Sequence, residues 1–424
     1  MLPRRILLAA FAISASASFL LCGYEFIRAV STSLYVTYYS AENLPRVWIA
    51  VFPSVLLFIY FYGRLLSAYG ATRALVITSL FSSFLIFGCF LALRMGFHFA
   101  AAIIYVFREV YIVIIIEQIW SFVNSTLNPK QAKTINGPFC AIASLGSVCG
   151  GMFVGAYAAS MGSINLLLGA GISLIPTALF AVIAYNLAGE PKPTDIEAGG
   201  KLGHLGIRTL FQSKYLLMVA ILIISTQVIS TVLDFTFNRF VEAEITDTDS
   251  MTSYYGIFYA RLAAISAVLQ LLIVPLALRL VPIRIIHIFI PIIHLLNGLI
   301  LSITPSLKTG SRGFLTFKVL DYSLFRAGKE LFYMPLSYDE RYRCKQIIDS
   351  FGYRSAKGAS GGIIELVQII LKSIRGVKTI PGVALSITVM FISCFWGILV
   401  SNISSKYLKL EKTVKSVDIT DTNM

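Results

Sequence analysis

The sequence is dominated by a succession of apolar stretches, each about as long as a helix that crosses a membrane. Roughly 20 apolar residues span the hydrocarbon core of a bilayer as a helix, and such stretches follow one another along most of the 424 residues. Charged residues make up only 13% of the chain, about half of what a soluble domain carries. These features exclude a soluble domain, a disordered chain and a secreted disulfide scaffold. They predict an all-α, multi-pass integral membrane protein that is embedded in a lipid bilayer.

Twelve transmembrane helices are predicted, in two halves of six. Residues 1–188 form the predicted N-terminal half and residues 215–402 the C-terminal half, while the polar residues 189–214 and 403–424 form a predicted linker and a tail. The predicted spans are 6–39, 45–62, 71–93, 97–124, 135–160, 164–188, 215–240, 253–280, 282–304, 314–336, 346–372 and 380–402. We expect the first span to stay uncleaved, because its apolar run is longer than the roughly 7–15 residues of a signal-peptide core.

The distribution of Lys and Arg among the loops predicts the orientation of the chain. The formal net charge is +14, and more than twice as many loop Lys and Arg residues lie on the side of the N-terminus as on the opposite side. Cytoplasmic loops carry such an excess, so both termini and the linker are predicted to be cytoplasmic. Topology therefore accounts for most of the positive charge, and no nucleic-acid partner is predicted.

The sequence contains none of the compact motifs that carry enzyme chemistry. A phosphate-binding loop would read GxxxxGK[ST] after a strand, and no such segment occurs. The four histidines are scattered without the spacing of metal ligands. Glycines cluster in 146–155 and 358–362, where we interpret them as sites of close helix approach. No enzymatic activity, cofactor or metal is predicted.

Ionised side chains inside the predicted spans are the candidate functional residues. A charge at the centre of a bilayer costs about 2.5–3.5 kcal/mol on insertion scales, so it persists where it is paired or lines a wet cavity. These residues are Glu25 and Arg28 in the first span, Arg108, Glu109 and Glu117 in the fourth, Asp234 in the seventh, and Lys318, Asp321, Arg326, Lys329 and Glu330 in the tenth.

Each of these charges has a structural interpretation beside the functional one. Arg326 and Glu330 are four residues apart and can form a pair within the helix, with Lys329 extending to the cytoplasmic surface. Alternatively, Lys329 faces a cavity and binds an anionic substrate. Asp234 is either a partner for a Lys or Arg of another helix or a site for substrate or a proton. Glu25 and Arg28, three residues apart, favour a structural pair.

One segment of the tenth and eleventh spans resembles a known signature. Residues 321–362 read DYSLFRAGKELFYMPLSYDERYRCKQIIDSFGYRSAKGASGG, and residues 122–133 read FVNSTLNPKQAK. Both are similar to motifs of the ATP/ADP antiporters of obligate intracellular bacteria and plastids, a nucleotide transporter family of the major facilitator superfamily. The resemblance implies a major-facilitator-type fold, a nucleotide or related phosphorylated small molecule as substrate, and a location in a bacterial inner membrane.

The resemblance also implies which residues contact the substrate. The family's tenth-span lysine falls on Lys329, its seventh-span glutamate on Asp234 and its fourth-span glutamate near Glu109. The family's first-span lysine falls on Ser31, so that cation is absent from this chain, whereas an arginine three residues earlier is kept as Arg28.

A mechanism follows from these assignments as a hypothesis. Lys329 and Arg28 bind phosphate oxygens, and Asp234 and Glu109 neutralise the two cations when no substrate is bound. Arg326 and Glu330 complete the predicted substrate-binding residues. Two alternatives stay open: a proton-coupled carrier of another solute, with Glu109 or Asp234 as the proton site, and a non-transporting membrane subunit that has kept the fold.

Overall fold

The structure is a computed structural model that describes residues 3–126, 129–190, 207–336, 345 and 347–421. Over these residues the regular secondary structure is helical and contains no strand, which confirms the all-α prediction. Residues 191–206, the larger part of the predicted linker, and the last three residues of the predicted tail lie outside the described residues. Residues 403–421, by contrast, continue the last helix of the chain.

The chain divides into two compact units. The first contains Met1–Gly200 and Val241–Ala267. Its helices are α1 (Arg4–Tyr39), α2 (Leu44–Arg94), α3 (Phe99–Thr126), α4 (Pro129–Met161), α5 (Ser163–Ala188) and, except for its last residue, α8 (Thr248–Val268). Helix α1 is central to this unit, because it packs against α3, α4 and α5.

The second unit contains Lys201–Phe240 and Val268–Met424. Its helices are α6 (Ile207–Gln212), α7 (Lys214–Glu244, up to Phe240), α9 (Val274–Leu280), α10 (Ile283–Ile303), α11 (Leu307–Leu320), α12 (Arg326–Tyr333), α13 (Tyr353–Arg375) and α14 (Gly382–Asp421). The π-helical segment Asp321–Phe325 joins α11 to α12. Such segments are often found at functional sites, and this one lies in the charged tenth span of the sequence.

Nine helical segments of the described chain are long and apolar enough to cross a membrane. The longest, Ala41–Arg94, is interrupted at Gly70, where φ is 78°, and this break separates the predicted spans 45–62 and 71–93. Residues 307–333 and 353–375, which overlap the predicted spans 314–336 and 346–372, are also helical. The protein is therefore a multi-pass integral membrane protein, while the count of twelve spans stays a prediction.

The surfaces of these helices suit a lipid environment. Large apolar side chains point outward, and Phe84, Ile374 and Phe391 expose 75%, 75% and 70% of their surface. Hydroxyl groups inside the helices donate to the carbonyl four residues earlier, as Ser225 does to Ile221 at 2.8 Å. No backbone or hydroxyl donor needs water when it is bonded in this way, so the helices can carry serine and threonine through hydrocarbon.

Glycines of α4 bring it close to α1. A Cβ at Gly150 would lie 2.5 Å from the carbonyl oxygen of Cys22, and a Cβ at Gly146 would collide with the backbone of Ser18. Any larger residue would push the two helices apart. The interpretation of the 146–155 glycines as sites of close helix approach is thus confirmed, whereas a Cβ at Gly362 in α13 would meet no atom within 4 Å.

The first turn of α8 lies outside the apolar spans and is capped by a carboxylate. The backbone N–H of Ser250 donates to Asp247 Oδ2 at 2.7 Å, which satisfies one donor at the helix start. This hydrogen bond lowers the pKa of the Asp247 carboxyl below its ordinary value. Asp247 therefore contributes to the local stability of α8.

Candidate functional site

Four candidate charged residues of the first unit lie close together where α3 and α8 meet the middle of α1: Glu25, Arg28, Arg108 and Glu109. Arg108 of α3 has a buried guanidinium, with only 5% of its side chain exposed. Its Nη1 donates to the carbonyl oxygen of Arg28 at 2.7 Å, to Ser31 Oγ at 2.8 Å and to Thr32 Oγ1 at 2.5 Å. Arg108 therefore bonds α3 to α1 through three oxygens, and sequence reasoning did not include it among the substrate-binding residues.

Arg28 lies beside these bonds and is held by aromatic rings and a carboxylate. Its Cζ lies 3.7 Å from the centroid of Tyr259 in α8 and 5.7 Å from that of Tyr24. Its Nη1 lies 3.8 Å from Oε2 of the buried Glu25, so the predicted structural pair of Glu25 and Arg28 is formed. Stacking on a ring stabilises a desolvated guanidinium by about 2 kcal/mol.

Glu109 contacts Arg108 and keeps part of its surface open. Its Oε1 lies 3.3 Å from Arg108 Nε, and 26% of its side chain is exposed. The Arg108 guanidinium also lies over the ring of Tyr105, with Cζ 3.8 Å from the centroid. The first unit thus brings together two guanidiniums and two carboxylates, a set that can exchange a carboxylate for a phosphate because the guanidinium fork fits both anions.

In the second unit, Lys329 of α12 is paired with a carboxylate that the sequence did not select. Its Nζ donates to Asp349 Oδ1 at 2.7 Å, and the Tyr333 hydroxyl donates to the same oxygen at 3.3 Å. Only 12% of the Lys329 side chain is exposed. An ammonium this enclosed does not extend to the surface, so the alternative in which Lys329 only snorkels is not the one that forms.

Arg326 and Glu330 do not form the pair that their spacing predicts. Glu330 accepts a hydrogen bond from Lys345 Nζ at 2.5 Å, and Arg326 lies over the ring of Tyr322, with Cζ 5.6 Å from its centroid. The prediction of a pair within the helix is therefore wrong. Glu330 pairs instead with Lys345, and the guanidinium of Arg326 packs on the ring of Tyr322.

Asp234 of α7 also has a partner other than the predicted one. Its Oδ2 lies 3.6 Å from Lys357 Nζ of α13, and Asn238 Nδ2 donates to its Oδ1 at 2.9 Å. Asp234 contacts Lys357 and Lys329 contacts Asp349, so the two residues do not pair with each other in this structure, and the assignment of Asp234 to the substrate site stays a prediction. The geometry matches the other interpretation of Asp234, a bridge to a cation on another helix.

Lys318 and Asp321 are enclosed charges of the same helical stretch. Lys318 is 8% exposed, donates to Ser230 Oγ at 2.9 Å, and lies within 6 Å of three ring centroids. Asp321 is 6% exposed and accepts a hydrogen bond from the Tyr353 hydroxyl at 3.3 Å. Within the described part of the chain neither side chain has an ion-pair partner within 4.0 Å.

Arg261 of α8 is a charge inside a predicted span that sequence reasoning missed. It is exposed and borders an open cleft of about 420 Å³ between α4 and α8, whose other lining residues are apolar. An arginine well inside the apolar run 253–280 was the available signal, since the other arginine of that run, Arg279, lies at its end. Two of the six predicted substrate-binding residues, Arg28 and Glu109, lie close together in the first unit, where both contact Arg108. In the second unit Lys329 and Glu330 form separate ion pairs.

Comparison with known proteins gives a family similarity over part of the chain and a fold for nearly all of it. A family model described as TLC ATP/ADP transporter matches residues 309–407, which contain Lys329, Asp349 and Lys357. No curated protein sequence matches the chain. The match covers the second unit from α11 to Tyr407 of α14, the region that carries the longer signature noted in the sequence.

Solved structures of transporters share the fold along nearly the whole chain. A bacterial homologue of the iron transporter ferroportin has a TM-score of 0.69 at 12% identity, over 94% of this chain and 99% of that chain. The nucleoside transporter NupG has a TM-score of 0.63 at 11% identity, over 95% and 99%. A bacterial homologue of the human lysosomal transporter Spinster has a TM-score of 0.62 at 14% identity, over 97% and 98%.

At these identities the solved structures establish the fold and not the solute, whereas the family match adds the class of protein. The family match confirms the expected resemblance over residues 309–407, and the solved structures confirm the expected fold. The chain is a multi-pass membrane carrier with a major-facilitator-type fold, similar over residues 309–407 to the TLC ATP/ADP transporters.

Proposed function

We propose that this carrier exchanges nucleotides, or related phosphorylated anions, across a bacterial inner membrane by alternating access, with both termini in the cytoplasm. The observation that carries the proposal is the position of Lys329. This ammonium lies in the segment that matches the ATP/ADP transporter family, it is 12% exposed, and it is held by one carboxylate oxygen at 2.7 Å.

The Lys329–Asp349 pair suits an anion carrier that exchanges its substrate. A carboxylate partner stabilises an enclosed ammonium, since the desolvation of a lone charge costs several kcal/mol. Asp349 supplies that partner when no substrate is bound, and a phosphate oxygen can take its place because it accepts the same charge-assisted hydrogen bond. A phosphorylated substrate therefore meets a cation that is already in place and that stays neutralised in both states.

Exchange in proteoliposomes tests the proposal. Vesicles that contain purified protein are loaded with ADP, and the uptake of labelled ATP is compared for wild type, Lys329→Gln and Lys308→Gln. Lys308 is an exposed lysine at the start of α11, so its substitution removes the same charge outside the proposed site. We expect uptake to fall about tenfold or more with Lys329→Gln and to stay at the wild-type level with Lys308→Gln. Wild-type uptake by the Lys329→Gln variant would contradict the proposal.

A proton-coupled carrier of another solute is the second candidate, and Glu25 favours it. The Oε2 atom of Glu25 is buried and accepts no hydrogen bond within the described residues, although Arg28 lies 3.8 Å away. A carboxyl group in such a place can carry a proton, because burial disfavours its charged form. Uptake that follows an imposed pH gradient in vesicles without internal nucleotide would support this candidate over exchange.

A further inference from the structure

The hydrogen bonds of Arg108 leave one nitrogen of its guanidinium unused. Nη1 donates to three oxygens of α1, and Nε contacts Glu109 Oε1 at 3.3 Å. Nη2 donates to no residue in the part of the chain that the structure describes. The guanidinium is thus fixed in position by one edge and one face, since Tyr105 covers the face, and it retains a donor for a further acceptor.

A merely structural role does not require a charge at this position. The acceptors on α1 are a carbonyl oxygen and two hydroxyls, which are neutral and can also be satisfied by a neutral donor. A buried ionised group is costly unless it is compensated, and Glu109 is the one carboxylate that contacts Arg108 among the described residues. That contact is made at Nε alone, by a carboxylate whose side chain is 26% exposed and can be displaced.

Arg108 also lies next to the residue where the resemblance places a missing cation. The ATP/ADP antiporters that this chain resembles have a lysine at the position of Ser31. In this chain the Ser31 hydroxyl accepts a hydrogen bond from Arg108 Nη1 at 2.8 Å. The positive charge that residue 31 does not carry is therefore present within hydrogen-bonding distance of it, on a side chain of α3 instead of α1.

We propose that Arg108 is a substrate-binding residue, whose guanidinium supplies beside Ser31 the phosphate-binding charge that α1 lacks. The proposal rests on the proposed nucleotide transport. The incoming phosphate accepts from Nη2 and Nε and displaces Glu109, in the bidentate arrangement that a guanidinium makes with phosphate. Arg28, stacked on Tyr259, lies one turn before Ser31 and offers a second guanidinium to the same anion.

Relocation of the charge tests this role. Dissociation constants for ATP and AMP are measured on purified wild type, Arg108→Gln, Arg108→Lys, Ser31→Lys/Arg108→Gln and Arg64→Gln. In the double variant the shorter glutamine vacates the volume that a longer side chain at position 31 needs, and the charge returns to α1. Arg64 is the matched control, because it is an exposed arginine of the same unit that lies over a tyrosine ring, Tyr60, at 5.4 Å.

We expect Arg108→Gln to weaken ATP binding by roughly tenfold to a hundredfold, the effect of one charge-assisted hydrogen bond, and AMP binding by a smaller factor. The double variant should recover most of the ATP affinity, and Arg64→Gln should bind as wild type does. Arg108→Lys keeps the charge but loses the bidentate fork of the guanidinium, so it should weaken ATP binding more than AMP binding, by a smaller factor than Arg108→Gln. It therefore carries the test if Arg108→Gln does not fold.

Two outcomes would overturn the proposal, and they differ in what else they exclude. If Arg108→Gln, or a folded Arg108→Lys, changes the affinities for ATP and AMP by equal factors or does not change them, while Lys329→Gln loses ATP binding, then Arg108 only joins the helices. If wild type binds neither nucleotide, the proposed function fails together with the role of Arg108.

Discussion

Lys329 and Asp349 are joined by a hydrogen bond of 2.7 Å between Nζ and Oδ1, although one residue lies in α12 and the other in the π-helical segment Ile347–Gly352. The Tyr333 hydroxyl donates to the same oxygen, so the carboxylate has two donors that a phosphate oxygen could use equally well. Under the proposed function, Asp349 competes with the substrate for Lys329.

The substitution Asp349→Asn should therefore raise the affinity for ATP. When the nucleotide binds to this variant, the hydrogen bond that Lys329 must break is to a neutral amide and not to a carboxylate. The bond to the carboxylate is the stronger one, because a charge-assisted hydrogen bond is about twice as strong as a neutral one. We expect a decrease of the dissociation constant by about tenfold, measured by equilibrium binding to the purified protein.

The control for this measurement is Glu365→Gln. Glu365 of α13 lies 3.9 Å from Lys378, so this variant raises the net charge by the same amount at another lysine pair, and its ATP affinity should equal that of wild type. An Asp349→Asn variant that binds ATP no more tightly than Glu365→Gln would show that Asp349 does not compete with the substrate.

Asp234 and Lys357 connect α7 to α13, and a double-mutant cycle should detect their interaction. Their side chains are 14% and 25% exposed and their charged atoms lie 3.6 Å apart. Asp234→Asn and Lys357→Met should each lower the free energy of unfolding, by about 1–2 kcal/mol, because each leaves a partly buried charge with one partner fewer. The double variant should lose about 1 kcal/mol less than the sum of the two. Thermal unfolding in one detergent measures all four proteins, and additive losses would mean that the pair is not coupled.

The helices were predictable from sequence because their cause is local. A long apolar run must form a helix in hydrocarbon, where every backbone donor needs a partner within the segment, and the bounds of α5 and α10 differ from the predicted spans by one residue at most. The break at Gly70 was predictable for the same reason, since the polar residues between two apolar runs mark it.

The ion pairs were not predictable, because sequence spacing relates only residues of one helix. The four-residue spacing of Arg326 and Glu330 favoured a local pair, yet Lys345 reaches Glu330 from beyond the end of α12. Lys357 lies more than a hundred residues after Asp234. Tyr259, which stacks on Arg28, follows it by more than two hundred residues and has no charge to draw attention to it. Such partners are chosen by the packing of helices, which one sequence does not specify.

The approach of α4 to α1 provides the last prediction, which concerns stability. A Cβ at Gly150 would lie 2.5 Å from the carbonyl oxygen of Cys22 and 2.9 Å from its Cα. Because both are backbone atoms, Gly150→Ala forces the helices apart, and overpacking of this kind costs about 1–3 kcal/mol. We expect the melting temperature to fall. Gly88→Ala is the matched control, since a Cβ at this helical glycine of α2 would meet no atom within 4 Å.

In an exposed helix interior the added methyl group reduces the conformational entropy of the unfolded chain, so Gly88→Ala should be neutral or raise the free energy of unfolding by about 0.5–1 kcal/mol. The two substitutions are chemically identical and lie in the same unit, so a difference in the sign of their effects isolates the contact between α1 and α4. If both variants melt at the wild-type temperature, the two helices are not held at the distance that the glycines permit.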